Sequence, residues 1–239
     1  MQKKYKKILF DLDNTLVNDD ENRKCAIKKL LKEKAELVTD EKVNSFIEID
    51  NKWWRDRTEG KIKVPKDIKN NQEIIEWDRA QRFIKFFYGI KYEEGVELNK
   101  KYFNYLSENI IPISNAYNIL EYLYKKQYDL YIVTNGPLKL INNKLNAINT
   151  KKFIKGVFSA EEAGNMKPSS EFFEKFFNKI QYYEKNSMLI VGDELDKDVL
   201  GGIQNGIDSC WFNRNSQKNS TKYRPSYEIN NLMELKNIL

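Results

Sequence analysis

The chain contains no histidine and only two cysteines, Cys25 and Cys210, in 239 residues. Without histidine, the serine–histidine and cysteine–histidine routes to hydrolysis are closed. Acid–base work then falls to carboxylates, lysine or tyrosine. A zinc site of cysteine and histidine is excluded as well, and two thiols make no disulfide framework, which fits a reducing cytoplasm. Long apolar runs are also missing: none approaches the ~18 residues needed to cross a bilayer, so no membrane association is expected. Lys3, Lys4, Lys6 and Lys7 precede an apolar stretch that breaks at Asp11, too short for a secretory signal. Arginine is scarce, seven of the 41 basic residues. The net charge of +6 comes from lysines dispersed among glutamates, as on solvated helix faces, which argues against a nucleic-acid partner.

What is present suffices for a globular protein of one to two domains, with 41% hydrophobic residues to build a core. Tyr5 to Asp11 reads as a buried strand. From Asp19 to Ser107 the spacing is helical: Ile27, Leu30, Leu31 and Ala35, then Val43, Phe46 and Ile47, then Ile74, Ile75, Trp77, Phe83, Phe86 and Phe87. This segment reads as a four-helix unit without a strand. After Pro112, helices and short apolar strands alternate, with strands at Asp129–Thr134, Gly156–Ser159, Ser187–Val191 and Ser209–Phe212. Helices are expected at 116–125, 137–145, 170–180, 195–204 and 232–239. Such alternation implies a parallel sheet covered on both faces. The expected architecture is therefore an α/β domain of residues 1–17 and 112–239, interrupted by a helical cap of residues 18–111.

In an open parallel sheet, ligands bind beyond the carboxyl ends of the strands. The polar residues of this chain gather at those ends. The first strand runs into Asp11 and Asp13, whose i, i+2 spacing puts both carboxylates on one face. Paired carboxylates repel unless a cation or a shared proton holds them. The strand through Val133 runs into Thr134-Asn135-Gly136, where a hydroxyl and backbone N–H groups can meet an anion. The strand through Val191 runs into Gly192-Asp193 and, five residues on, Asp198. Lys167 stands before Pro168, ahead of a helix. Carboxylates, a hydroxyl and a lysine suit a magnesium ion held by oxygen together with a phosphoryl group. The run from Gly201 to Gly206 lacks the spacing of a phosphate loop and reads as close packing and a helix stop.

Asp11-Leu12-Asp13-Asn14-Thr15, Val133-Thr134-Asn135-Gly136, Lys167-Pro168 and Gly192-Asp193 with Asp198 resemble, in order and spacing, the four motifs of the haloacid dehalogenase superfamily. The resemblance spans essentially the whole chain, and implies a flavodoxin-like doubly wound sheet and two-step phosphoryl transfer. By that resemblance Asp11 is the nucleophile and Asp13 the general acid and base. Thr134, Asn135 and Lys167 bind the phosphoryl oxygens, with Thr134 and Lys167 counted in the catalytic set. Asp11, Asp13, Asp193 and Asp198 are the expected metal set, for Mg2+. Members that act as dehalogenases lack the second acid, so Asp13 implies a phosphatase.

Within the helical segment, Asn51-Lys52-Trp53-Trp54-Arg55, Glu59-Gly60-Lys61-Ile62 and Arg82-Phe83 are similar to the cap of the noncanonical pyrimidine nucleotidases. The stretch Cys210-Trp211-Phe212-Asn213 is similar to that subgroup's last strand. The resemblance implies a pyrimidine nucleoside 5′-monophosphate phosphatase, with Trp54 and Arg82 as substrate-binding residues, while Trp53, at helical spacing, reads as core. A sugar-phosphate or phosphoglycolate phosphatase, and a non-catalytic binding protein on the same scaffold, are the other readings. No oligomeric state follows from the sequence.

Overall fold

Strand β1, Lys7–Phe10, has every residue buried, as expected of a central strand in a parallel sheet covered on both faces. The computed structural model describes residues 4–239, so Lys3 lies outside it. Four helices follow β1: α1 (Asp19–Glu33), α2 (Asp40–Thr58), α3 (Asn71–Phe86) and α4 (Tyr92–Glu108). The remainder alternates as α5 (Ala116–Lys125), β2 (Asp129–Thr134), α6 (Leu138–Ala147), β3 (Gly156–Ser159), α7 (Ala160–Ala163) and α8 (Ser170–Ile180). Then come β4 (Met188–Gly192), α9 (Leu200–Asn205), β5 (Asp208–Phe212) and β6 (Tyr227–Ile229), and a closing 3-10 segment, Leu232–Asn237. Two compact units result, one from the chain up to Asp19 together with Ile110–Leu239, the other from Asp20–Asn109.

The α/β unit is a six-stranded parallel sheet in the order β3-β2-β1-β4-β5-β6. The order reverses between β1 and β4, and that reversal opens a crevice beyond their carboxyl ends. Alternate side chains serve opposite faces. Leu9, Tyr131, Val133 and Ile190 pack on one side with Phe172, Phe173, Phe176 and Phe177 of α8. Ile8, Phe10, Ile132, Leu189 and Val191 pack on the other with Ile119, Leu120 and Leu123 of α5. The four α8 phenylalanines lie at i, i+1, i+4 and i+5, one helical face, and burial of each contributes roughly 2–3 kcal/mol. Gly201 admits the Phe173 ring, which would stand 2.7 Å from a Cβ there, and Gly206 ends α9 at φ 69°.

The helical unit is anchored by aromatic packing. Phe46 of α2 meets Phe83 and Phe86 of α3 and Tyr102 of α4 at centroid distances of 5.2, 5.2 and 5.3 Å. Thr39 caps α2 by accepting from the Lys42 N–H, and Asn70 caps α3 by accepting from the Glu73 N–H.

Several elements differ from the sequence expectation: the last helix, expected over 232–239, is the 3-10 segment Leu232–Asn237, and the short helix α7 was not expected. Strand β6 was not expected; it pairs with β5 over three residues, too few to display an alternating pattern. The helix expected over 195–204 begins instead as a π-helical turn, Leu195–Val199, before α9 takes over. Among the described residues no helix is long and apolar enough to cross a membrane.

Candidate active site

The sheet register decides which polar residues meet. Phe10 of β1 lies opposite Ile132 of β2 and Val191 of β4. The chain segments just past these residues therefore leave the sheet side by side: Asp11 to Asp13, Thr134 to Gly136, and Gly192 to Asp193. After Asp13 the backbone turns sharply. Asn14 takes φ 60°, a left-handed conformation that asparagine tolerates better than most residues, and its N–H donates to the Val17 carbonyl.

Lys167 sits at the centre of the cluster. Its Nζ donates to Asp11 Oδ1 at 2.7 Å and to Asp198 Oδ1 at 2.6 Å, with all three side chains buried. Its backbone is fixed by Asn135, whose Oδ1 accepts from the Lys167 N–H at 2.8 Å and whose Nδ2 donates to the Lys167 carbonyl. Burial opposes the charge on Lys167, but Asp11 and Asp198 outweigh it and raise its pKa, so it is an ammonium. The Thr134 hydroxyl is buried and accepts from the Gly136 N–H at 3.1 Å.

The acids crowd one another. One carboxylate oxygen from each of Asp11, Asp193 and Asp198 lies within 4.8 Å of the others. Burial pushes all three pKa values up; Asp193 is raised well above the ordinary range, with Asp11 and Asp198 adding to the effect. Asp193 is held by the Thr15 hydroxyl at 3.1 Å, and the Trp211 indole N–H donates to its carbonyl at 2.9 Å. Asp198 reaches inward because the π-helical turn sets it against Gly192, where a Cβ would fall 2.1 Å from Asp198 Oδ2. The Glu194 N–H donates to that same oxygen.

Asp13 stands apart from this triad. Its Oδ1 accepts from Lys144 Nζ at 2.5 Å, and Lys144 donates as well to Asp19 at 2.7 Å. Burial pushes the Asp13 carboxyl up to about 6, against the pull of Lys144. Four carboxylates, of Asp11, Asp13, Asp19 and Asp198, thus share two ammonium groups, and a fifth, Asp193, accepts from the Thr15 hydroxyl instead. The surplus of hard oxygen donors fits a divalent cation such as Mg2+, whose opposite ligands stand about 4.2 Å apart at bonds of about 2.1 Å.

Of the residues singled out in the sequence, Asp11, Asp193, Asp198 and Lys167 come together, Thr134 and Asn135 stand on the adjoining loop, and Asp13 turns its carboxylate to Lys144. Trp54 and Arg82 belong to the helical unit. Arg82 is buried, donating to Asp50 at 2.6 Å and Asn99 at 3.0 Å, and its guanidinium lies 5.5 Å from the centroid of the Trp54 ring, which is 38% exposed. Trp53 is buried against Trp77. Lys144 and Asp19 escaped the sequence reading. The signal for Lys144 was there: it lies on the α6 face that carries Leu140, Ile141 and Leu145, where a lysine has no place unless acids await it.

The model of the haloacid dehalogenase-like hydrolase family matches residues 8–212. A Bacillus subtilis protein named as a HAD-hydrolase, YfnB, is 31% identical over 99% of this chain and 96% of its own length. Its crystal structure, bound to magnesium, superposes with a TM-score of 0.85 at 30% identity, covering 99% of each chain. Pyrimidine 5′-nucleotidase PynA of Streptococcus pneumoniae is 31% identical over 98% of this chain and 97% of its own. Pyrimidine 5′-nucleotidase YjjG of Escherichia coli is 23% identical over 97% of this chain and 96% of its own.

Proposed function

The chain belongs to the haloacid dehalogenase-like hydrolase family and is an enzyme, and on that premise we propose that it is a phosphomonoesterase acting on pyrimidine nucleoside 5′-monophosphates. The observation that carries the chemistry is the meeting of Asp11, Asp193, Asp198 and Lys167 at the carboxyl end of a parallel sheet.

In this reading Asp11 attacks phosphorus in line, so that the Asp11 O–P bond forms as the ester P–O bond breaks. Asp13 gives a proton to the departing alkoxide, then takes one from the water that cleaves the aspartyl-phosphate. Lys167, the Thr134 hydroxyl and the Asn135 N–H bind the transferred oxygens and neutralise charge as it develops. Lys167 is suited to this because Asn135 fixes its backbone from both sides. A magnesium ion would be held by Asp11, Asp193 and the Asp13 carbonyl, with Asp198 beside them, and when bound supplies charge neutralisation at the phosphoryl group.

Two supports favour a nucleotide over other phosphoesters. The proteins from Streptococcus pneumoniae and Escherichia coli are named as pyrimidine 5′-nucleotidases. The helical unit also exposes the Trp54 ring beside the Arg82 guanidinium, and a base stacked on that ring would gain roughly 1–3 kcal/mol. Arg82 is held by Asp50 and Asn99, so in this reading it supports the aromatic platform.

Turnover of a phosphomonoester panel with magnesium tests the assignment. Uridine and deoxyuridine monophosphates are expected to exceed sugar phosphates and phosphoglycolate in kcat/KM; equal rates remove the nucleotide assignment. Asp11→Asn is expected to lose about a thousandfold or more in kcat. Near-normal turnover by that variant, or equal rates in chelator and in magnesium, removes the mechanism.

A further inference from the structure

Lys144 takes no part in the steps above, yet its side chain is only 4% exposed. Burying an ammonium costs several kcal/mol unless acids repay it. Here two acids do, Asp13 and Asp19, each through one oxygen, Oδ1. We propose that Lys144 is the positioning residue for proton transfer, holding one oxygen of Asp13 so that its second oxygen serves the ester and the water. This inference rests on the phosphomonoesterase reading, in which Asp13 is the acid and base.

Three observations carry it. First, the two oxygens of Asp13 have different surroundings. Oδ1 is taken by Lys144, whereas Oδ2 faces the Thr134–Gly136 turn, where a Cβ on Gly136 would stand 3.2 Å from Oδ2 and 3.4 Å from Thr134 Oγ1. Oδ2 thus points to the loop assigned to the phosphoryl oxygens. Second, the Asp13 side chain is 31% exposed, whereas that of Lys144, which it contacts, is 4% exposed. Lys144 therefore acts through Asp13. Third, Asp19 accepts a second hydrogen bond from the ammonium and so fixes its direction; without it, Nζ could swing about the flexible lysine stem.

The chemistry balances with Lys144 a spectator. In the first half-reaction Asp11 O–P forms, the ester P–O breaks, and the proton on Asp13 Oδ2 passes to the leaving oxygen. In the second, water O–P forms, Asp11 O–P breaks, and a water proton returns to Oδ2. Lys144 keeps its three protons throughout. Loss of Lys144 should therefore harm esters whose leaving oxygen needs a proton far more than those whose oxygen departs as a stable anion.

The test compares kcat/KM for uridine monophosphate, an alkyl ester, and p-nitrophenyl phosphate, whose aryl oxide leaves unprotonated. General acid catalysis contributes about 100- to 10,000-fold, and misplacement forfeits part of it. Lys144→Met is expected to lose at least about tenfold more on the alkyl than on the aryl ester, and Asp19→Asn to show the same bias more weakly. Equal losses on both esters, or none, overturn the positioning role. Should Lys144→Met fail to fold, Asp19→Asn decides alone by the same ratio. A wild-type protein that hydrolyses neither ester refutes the phosphomonoesterase reading itself, a different outcome from equal losses.

Discussion

Replacing Asp50 by asparagine should destabilise the helical unit by about 3–5 kcal/mol, the usual cost of breaking a buried ion pair from one side. Asp50 on α2 is the shared acceptor of two guanidinium groups, Arg82 from α3 and Arg23 from α1, both at 2.6 Å. The side chains of Asp50 and Arg82 are 4% and 5% exposed, so asparagine leaves Arg82 as a buried cation whose other hydrogen-bond partners among the described residues, the Arg79 carbonyl and Asn99, are neutral. With a urea m-value of about 2 kcal/mol/M, the midpoint should fall by about 1.5–2.5 M. Trp53, Trp54 and Trp77, three of the four tryptophans, stand in the helical unit, so tryptophan fluorescence reports chiefly on its unfolding. Lys52→Ala, which removes a surface pair with Asp56, should cost under about 0.5 kcal/mol and serves as the control. The double variant Asp50→Leu with Arg82→Met should recover part of the loss, because it removes both buried charges. Acid adds a second signature. Burial alone would raise the Asp50 pKa, but Arg82 and Arg23 reverse this and hold the carboxyl below its ordinary value. A depressed folded pKa means the stabilisation is complete above the unfolded value of about 3.9 and drains away as pH falls through the folded one. The gap between wild type and Asp50→Asn should therefore be constant from neutral pH down to about 4 and close below it. An Asp50→Asn midpoint no further shifted than that of Lys52→Ala would refute the reasoning.

Two further outcomes are expected. Gly192→Ala puts a methyl group where Asp198 Oδ2 now lies, 2.1 Å from the new Cβ, so Asp198 must leave Lys167; a loss of about 1–3 kcal/mol in stability and a higher magnesium requirement for turnover should follow. A variant with unchanged stability and unchanged metal dependence would show that Asp198 is free to move. A thiol reagent should label Cys25, which is exposed, and spare Cys210, which is buried and whose thiol burial pushes up to about 12. One equivalent reacting in the native protein and two in denaturant is the expected count; two fast equivalents under native conditions would contradict the packing of β5.

The sheet was legible because parallel strands buried on both faces must be short apolar runs, as Leu130–Val133 and Met188–Val191 are. The acids were legible because each follows such a run directly, and the register then brings them together without further information. What escaped depends on partners far along the chain. Strand β6 exists because β5 offers it an edge, and its own three residues carry no pattern. The π-helical turn is explained by where Asp198 must point, toward Lys167, which lies 31 residues earlier. Asp50 and Arg23 likewise read as ordinary surface charges, and Arg82 as a substrate-binding residue, until three helices bring them together.

The two lysines buried at the site, Lys144 and Lys167, show why residue identity alone was a poor guide in a chain so rich in lysine. Lys144 was detectable in principle, since its helical face is otherwise apolar, whereas Lys167 was marked by the following proline and by its place in the order of the four motifs. Their common role explains the residue type. Each ammonium joins two carboxylates that come from different segments, Asp11 with Asp198 and Asp13 with Asp19. A tetrahedral ammonium can divide its protons in this way, while a planar guanidinium favours two parallel bonds to a single carboxylate. By satisfying one oxygen on each acid, the lysines hold Asp11 and Asp13 in place and leave each a second oxygen, which the proposed mechanism uses for attack in one case and proton transfer in the other. Both divisions of labour depend on acids outnumbering ammonium groups, and the remaining negative charge, concentrated on Asp11, Asp193 and Asp198, is the share that a divalent cation would balance.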